Sequence, residues 1–183
     1  PSVRVPTLEA ALALAKQHGA KVLIETKDVH RPLELAARVV DLVREHGLAE
    51  DAVVISFDPR SLYRVRELDP EIRTCFLWTP GLTSGWCARG TEALPLAWRL
   101  LAPLIDIALV VGAHPMLLPS LLGASAVGPS SVFRRTYLAA AQRRGMATYL
   151  WVVNDAELRS DVEGLFEQGL FAYSTDYLWP GDR

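Results

Sequence analysis

The chain has 183 residues, 50% of them hydrophobic and 22% charged, with a formal net charge of −2. That composition suits one folded domain with a substantial apolar core and excludes a disordered or low-complexity chain. The near-even charge balance gives no electrostatic basis for binding nucleic acid. Two cysteines, Cys75 and Cys87, exclude a disulfide framework but leave a single bridge open, and no CxxC or Cys/His spacing suggests zinc.

The elements alternate in chain order. Thr7 is placed to cap a helix over Leu8 to Gln17, which Gly19 closes. A strand is expected over Val22 to Lys27. Pro32 suits the first turn of the next helix, which Gly47 ends ahead of a strand over Val53 to Phe57. Asp58-Pro59 reads as N-cap and first turn of a third helix, followed by a strand over Thr74 to Trp78.

The stretch from Thr79 to Pro129 is irregular and reads as an apolar insertion, near 79–129, within one domain over 1–183. Its run ALPLAWRLLAPLIDIALVV, Ala93 to Val111, is about long enough to cross a bilayer. Arg99, Asp106 and two prolines argue instead for a buried or surface-docked amphipathic helix, with contact at a membrane surface as the alternative. LPSLLG then reads as a short helix.

Three more strands are expected over Ser125 to Gly128, Thr148 to Val153 and Phe171 to Thr175. Arg134-Arg135 and Arg143-Arg144 read as a solvated helix face. Gly145 and Gly169 close helical segments, and Asn154 with Glu157 has the spacing of a capping box. Short apolar strands separated by helices imply βαβ units and a parallel sheet.

The strand KVLIETKD raises the chemical question. Alternate residues of a strand share a face, so Leu23, Glu25 and Lys27 point one way and Val22, Ile24 and Thr26 the other. In a (β/α) barrel the aliphatic set packs on the helices, and Glu25 and Lys27 then project at the C-terminal strand end, where barrel enzymes place their chemistry. A carboxylate there can ligate Mg²⁺ or Ca²⁺, and an ammonium beside it can hold a phosphate oxygen. The plainer reading is a local ion pair. Other strand ends add Ser56, Phe57, Asp58, Trp151, Asn154, Ser174, Thr175 and Asp176. Each has a structural alternative: Phe57 and Trp151 as core, Asp58 and Asn154 as helix caps, Asp176 as the start of a turn.

Five segments in order, VPTLEAAL (Val5 to Leu12), VLIETK (Val22 to Lys27), ISFDP (Ile55 to Pro59), LWVVND (Leu150 to Asp155) and STDYL (Ser174 to Leu178), resemble the glycerophosphodiester phosphodiesterase family. The apolar insertion resembles the membrane-associated eukaryotic branch. The resemblance implies an α/β (β/α)₈ TIM-type barrel, of which this chain would supply about six βα units, strands 3 to 8. It implies metal-dependent hydrolysis of glycerophosphodiesters to glycerol 3-phosphate and an alcohol, with a glycerophosphodiester or a lysophospholipid-type molecule as the bound substrate. Attack by the glycerol 2-hydroxyl, through a cyclic phosphate, is the implied route. By the same resemblance Glu25 is a metal ligand, for Mg²⁺ or Ca²⁺, and Lys27 the phosphate-contacting catalytic residue. Phe57 and Trp151 line the substrate pocket, with Val152 where the family more often has threonine.

The family's His-Arg motif, Glu-x-Asp metal pair and second histidine precede PTLE, and here the chain opens just before it. His18, His30, His46 and His114 match none of these. The expectation is therefore the C-terminal two-thirds of an enzyme, active once its N-terminal part is present. Two alternatives remain: a truncated or pseudoenzyme binding or regulatory module, and an unrelated βα-barrel enzyme acting on phosphorylated small molecules. No signal peptide is evident at the start, and the apolar insertion leaves membrane-associated and cytoplasmic locations both open.

Overall fold

A computed structural model describes residues 4–28, 30–79, 101, 103–104, 116–131 and 134–176, with backbone alone at 134–136. The Ala93 to Val111 run and its reading as a helix, Cys87 and His114 lie outside these residues, apart from positions 101, 103 and 104. Among the described residues, no helix is long and apolar enough to cross a membrane.

The described residues form a six-stranded sheet in the order β1-β2-β3-β4-β5-β6: Val22–Glu25, Ala52–Ser56, Arg73–Trp78, Ala126–Pro129, Ala147–Leu150 and Leu170–Tyr173. Pairing is parallel at β1–β2, β2–β3, β4–β5 and β5–β6. Helices occupy the connections: α1 Leu8–His18, α2 Pro32–Glu45, α3 Pro59–Leu68, α4 Leu117–Leu121, α5 Arg134–Gln142 and α6 Ala156–Glu163. Parallel strands in sequential order with helical crossovers are the α/β construction of a (β/α)₈ TIM-type barrel, of which this chain supplies six strands. Two compact units divide it, Pro1–Phe76 with Leu122–Ser125, and Leu77–Leu121 with Ala126–Arg183.

In the first unit local chemistry sets the element boundaries. The Thr7 hydroxyl accepts from the Ala10 amide, and Gly19 closes α1 at φ 60° with its N–H on the Lys16 carbonyl. Gly47, Gly145 and Gly169 share that positive φ, as the helix–glycine–strand pattern requires. Asp58 caps α3 by accepting from the Arg60 amide, ahead of Pro59. Leu12 of α1, Val40 and Val43 of α2, Leu62 and Val65 of α3 and Val54 of β2 are fully enclosed, so helix stripes and the aliphatic strand face make one core. His18 ends α1 and His46 caps α2, its ring nitrogen on the Leu42 carbonyl.

In the second unit Leu138, Leu150, Val153, Val162 and Leu170 form a core, and the rings of Trp78 and Tyr137 stack at 4.9 Å. One expected cap is displaced. Asp155, not Asn154, caps α6, and its Oδ1 accepts from the Glu157 and Leu158 amides. Asn154 is used elsewhere: its amide donates to Asp176 Oδ2 at 2.8 Å and its oxygen accepts from the Asp176 N–H at 2.9 Å. Arg143 and Arg144 are exposed as expected, but in the turn after α5 rather than in the helix.

Candidate functional site

The expected alternation along β1 holds. Ile24 and Thr26 are buried, while Leu23, Glu25 and Lys27 are exposed. A side-chain contact fixes the parity: the Thr26 hydroxyl donates to the Ser61 hydroxyl of α3 at 3.0 Å. Thr26 therefore faces the helix layer, and Glu25 and Lys27 face away from it. The strand is shorter than expected. Its last ladder bond runs from the Thr26 N–H to the Ile55 carbonyl, so Lys27 lies just past the strand end.

Glu25 and Lys27 are brought together, with Nζ 3.1 Å from Oε2. The lysine side chain is 74% exposed and that of Glu25 29% exposed. Exposed pairs contribute little to stability because water screens them and two side chains lose freedom. In register, Glu25 lies beside Ile55 of β2, and Ile55 beside Cys75 of β3. The carboxylate and ammonium thus edge an otherwise apolar row. Such a pair can offer a hard oxygen ligand and a mobile cation to the same anion.

Phe57, in the same unit, is half-buried directly after β2. Trp151 belongs to the second unit. It is half-buried, bridges Ser130, and its indole N–H donates to the Gly128 carbonyl at 2.7 Å. Two side chains expected at the strand mouths are buried structural groups. Ser56 is fully enclosed and donates to the Thr26 carbonyl at 3.0 Å. Asp58 pairs with Arg60 at 2.7 Å while capping α3. Sequence reasoning missed the Thr26–Ser56–Ser61 cluster. The available signal was a threonine just past the end of β1 and a serine closing the aliphatic strand β2.

Glu25 suits Mg²⁺ or Ca²⁺ as one hard oxygen ligand, whereas such ions take six or more. Among the described residues, no group of three His, Cys, Asp or Glu side chains could hold a metal. The described chain therefore fits the ion at one ligand and not as a complete set.

Residues 1–178 match the profile of the glycerophosphoryl diester phosphodiesterase family. No curated protein matches the sequence. Among solved structures, a candidate glycerophosphoryl diester phosphodiesterase from Silicibacter pomeroyi is 25% identical, with TM-score 0.66, over 98% of this chain and 55% of its own. An Oleispira antarctica phosphodiesterase in complex with the product sn-glycerol-3-phosphate is 21% identical, with TM-score 0.63, over 94% of this chain and 57% of its own. A glycerophosphodiester phosphodiesterase from Parabacteroides distasonis is 20% identical, with TM-score 0.62, over 93% of this chain and 60% of its own. The chain thus spans little more than half the length of these relatives.

Proposed function

Because this chain belongs to the glycerophosphoryl diester phosphodiesterase family, we propose that the whole protein hydrolyses glycerophosphodiesters to glycerol 3-phosphate and an alcohol. The observation that carries the reading is the Glu25–Lys27 pair at the C-terminal end of β1, on the face turned from α3. That end of a parallel strand is where barrel enzymes gather their chemistry. Glycerol 3-phosphate bound in the Oleispira relative supports the substrate class.

In this reading Lys27 holds a phosphoryl oxygen and stabilises the negative charge that grows there as the phosphorus–oxygen bond breaks. Its ammonium is already oriented by Glu25 and exposed enough to reach a ligand. Glu25 supplies one oxygen to Mg²⁺ or Ca²⁺. When bound, the cation supplies Lewis-acid polarisation of the phosphoryl group. Phe57, in the same unit as Glu25 and Lys27, is proposed as an apolar wall for the substrate. The alcohol leaves with a proton, and water adds to phosphorus over the full cycle, so atoms balance without a further reactant.

The test is direct. The complete protein is incubated with glycerophosphocholine and Mg²⁺ or Ca²⁺, and glycerol 3-phosphate is assayed. Release that stops on adding a chelator is the expected result. No release with either ion would reject the proposal.

A further inference from the structure

The residue between the proposed metal ligand and the proposed phosphate contact is held at every polar group it has. The Thr26 N–H donates to the Ile55 carbonyl at 3.0 Å. Its carbonyl accepts from the Ser56 hydroxyl at 3.0 Å, and its own hydroxyl donates to the Ser61 hydroxyl at 3.0 Å. The chain of bonds continues outward. Ser56 Oγ accepts from the Asp58 N–H at 3.0 Å, and Ser61 Oγ donates to the Pro32 carbonyl at 3.3 Å. Thr26, Ser56 and Ser61 are 5%, 0% and 1% exposed. One network therefore ties the end of β1 to the end of β2 and to the first turns of α2 and α3.

Stability gains only modestly from these hydroxyls. Replacing both partners of a buried hydrogen bond by apolar groups of the same shape is often nearly neutral. What the hydroxyls add is direction. Past its last ladder bond a strand end is ordinarily free to turn. Here the peptide planes on both sides of Thr26 are fixed, and those planes carry Glu25 and Lys27. The lysine has a long flexible stem that is mostly in water, so its aim depends on where its backbone starts.

Resting on the phosphodiesterase reading above, we propose that Thr26, Ser56 and Ser61 are positioning residues that aim Glu25 and Lys27. They touch no substrate. They act by fixing the backbone from which both functional side chains spring.

The experiment compares wild type, Thr26→Val, Thr26→Ser and Ser56→Ala in the complete protein, with Lys27→Ala as reference. Turnover and KM for glycerophosphocholine are measured, glycerol 3-phosphate binding is read by calorimetry, and values are normalised to the folded fraction from thermal melts. Misplacing a reacting group by about 1 Å can cost up to roughly 100-fold in rate. Thr26→Val and Ser56→Ala are expected to lower kcat roughly tenfold or more, and to weaken glycerol 3-phosphate binding, at an unchanged folded fraction. Thr26→Ser restores both, because it keeps the hydroxyl. Wild-type kcat and binding in Thr26→Val, or equal loss in Thr26→Ser, would overturn the inference while Lys27→Ala still fails. Should Thr26→Val not fold, Ser56→Ala decides by the same criteria. If Lys27→Ala itself turns over at the wild-type rate, the phosphodiesterase reading of the site fails instead.

Discussion

The hydroxyl of Thr26, at the end of β1, donates to the hydroxyl of Ser61, in the first turn of α3, at 3.0 Å. That bond, with Ile24 buried on the same face, shows which side of the strand end meets the helices, and Glu25 and Lys27 lie on the other. A buried neutral hydrogen bond contributes about 1 kcal/mol net, and removing one partner strands the other. A double-mutant cycle over Thr26→Val and Ser61→Ala should therefore show coupling of about 1 kcal/mol in urea unfolding. Strict additivity of the two single losses would show that the hydroxyls do not act on each other.

The acid limb of stability should depend on Asp69. Its burial raises the carboxyl pKa, but the Arg44 hydrogen bond at 2.6 Å and the backbone N–H groups of Glu71 and Ile72 outweigh this, leaving the value below the ordinary 3.8. A carboxyl with a lower pKa folded than unfolded binds fewer protons when folded. Its contribution is full above 3.8 and is lost as pH falls through the folded value. Asp69→Asn should therefore lose less unfolding free energy than wild type between about pH 5 and about pH 2. Parallel pH curves for the two proteins would remove Asp69 from the account.

Cys75 is fully buried, and burial pushes its thiol well above the usual range. The thiolate is the reactive form, so native protein should leave Cys75 unmodified by iodoacetamide, while urea-unfolded protein is alkylated there. Peptide mapping reads the site. Equal labelling in both states would contradict the packing of β3.

The cap of α6 separates two neighbours. Asp155→Ala should cost about 1 kcal/mol and speed hydrogen exchange at the Glu157 and Leu158 amides, which its carboxylate now accepts. Asn154→Ala should leave those two amides protected, because Asn154 bonds Asp176 and not the helix. The reverse pattern would restore Asn154 as the cap.

Much of the fold was legible because its signals are local. Thr7, Asp58 and the four glycines Gly19, Gly47, Gly145 and Gly169 punctuate helices by bonds within a few residues, and all behave as their sequence context implies. The β1 alternation was legible for the same reason. What escaped depends on contacts far apart in sequence. Asn154 and Asp155 are both good caps, and only Asp176, more than 20 residues on, decides between them. From sequence Ser56 reads as a mouth residue, and only the fold brings the Thr26 carbonyl to it across 30 positions. The family resemblance pointed to Glu25 and Lys27, and their 3.1 Å separation follows from adjacent same-face positions. Their aim could not be read, because it is set by Ser56 and Ser61 from other elements.

The most direct test of the central claim is turnover of a glycerophosphodiester by the complete protein carrying Lys27→Ala or Glu25→Gln, beside wild type. Loss of one charge-stabilising donor typically costs about 100-fold or more. Lys27→Ala is predicted to fall by at least that factor, and Glu25→Gln to lose metal-dependent turnover, with both proteins folded. Wild-type rates in either variant would contradict the assignment of the Glu25–Lys27 pair as the chemical centre of this strand end.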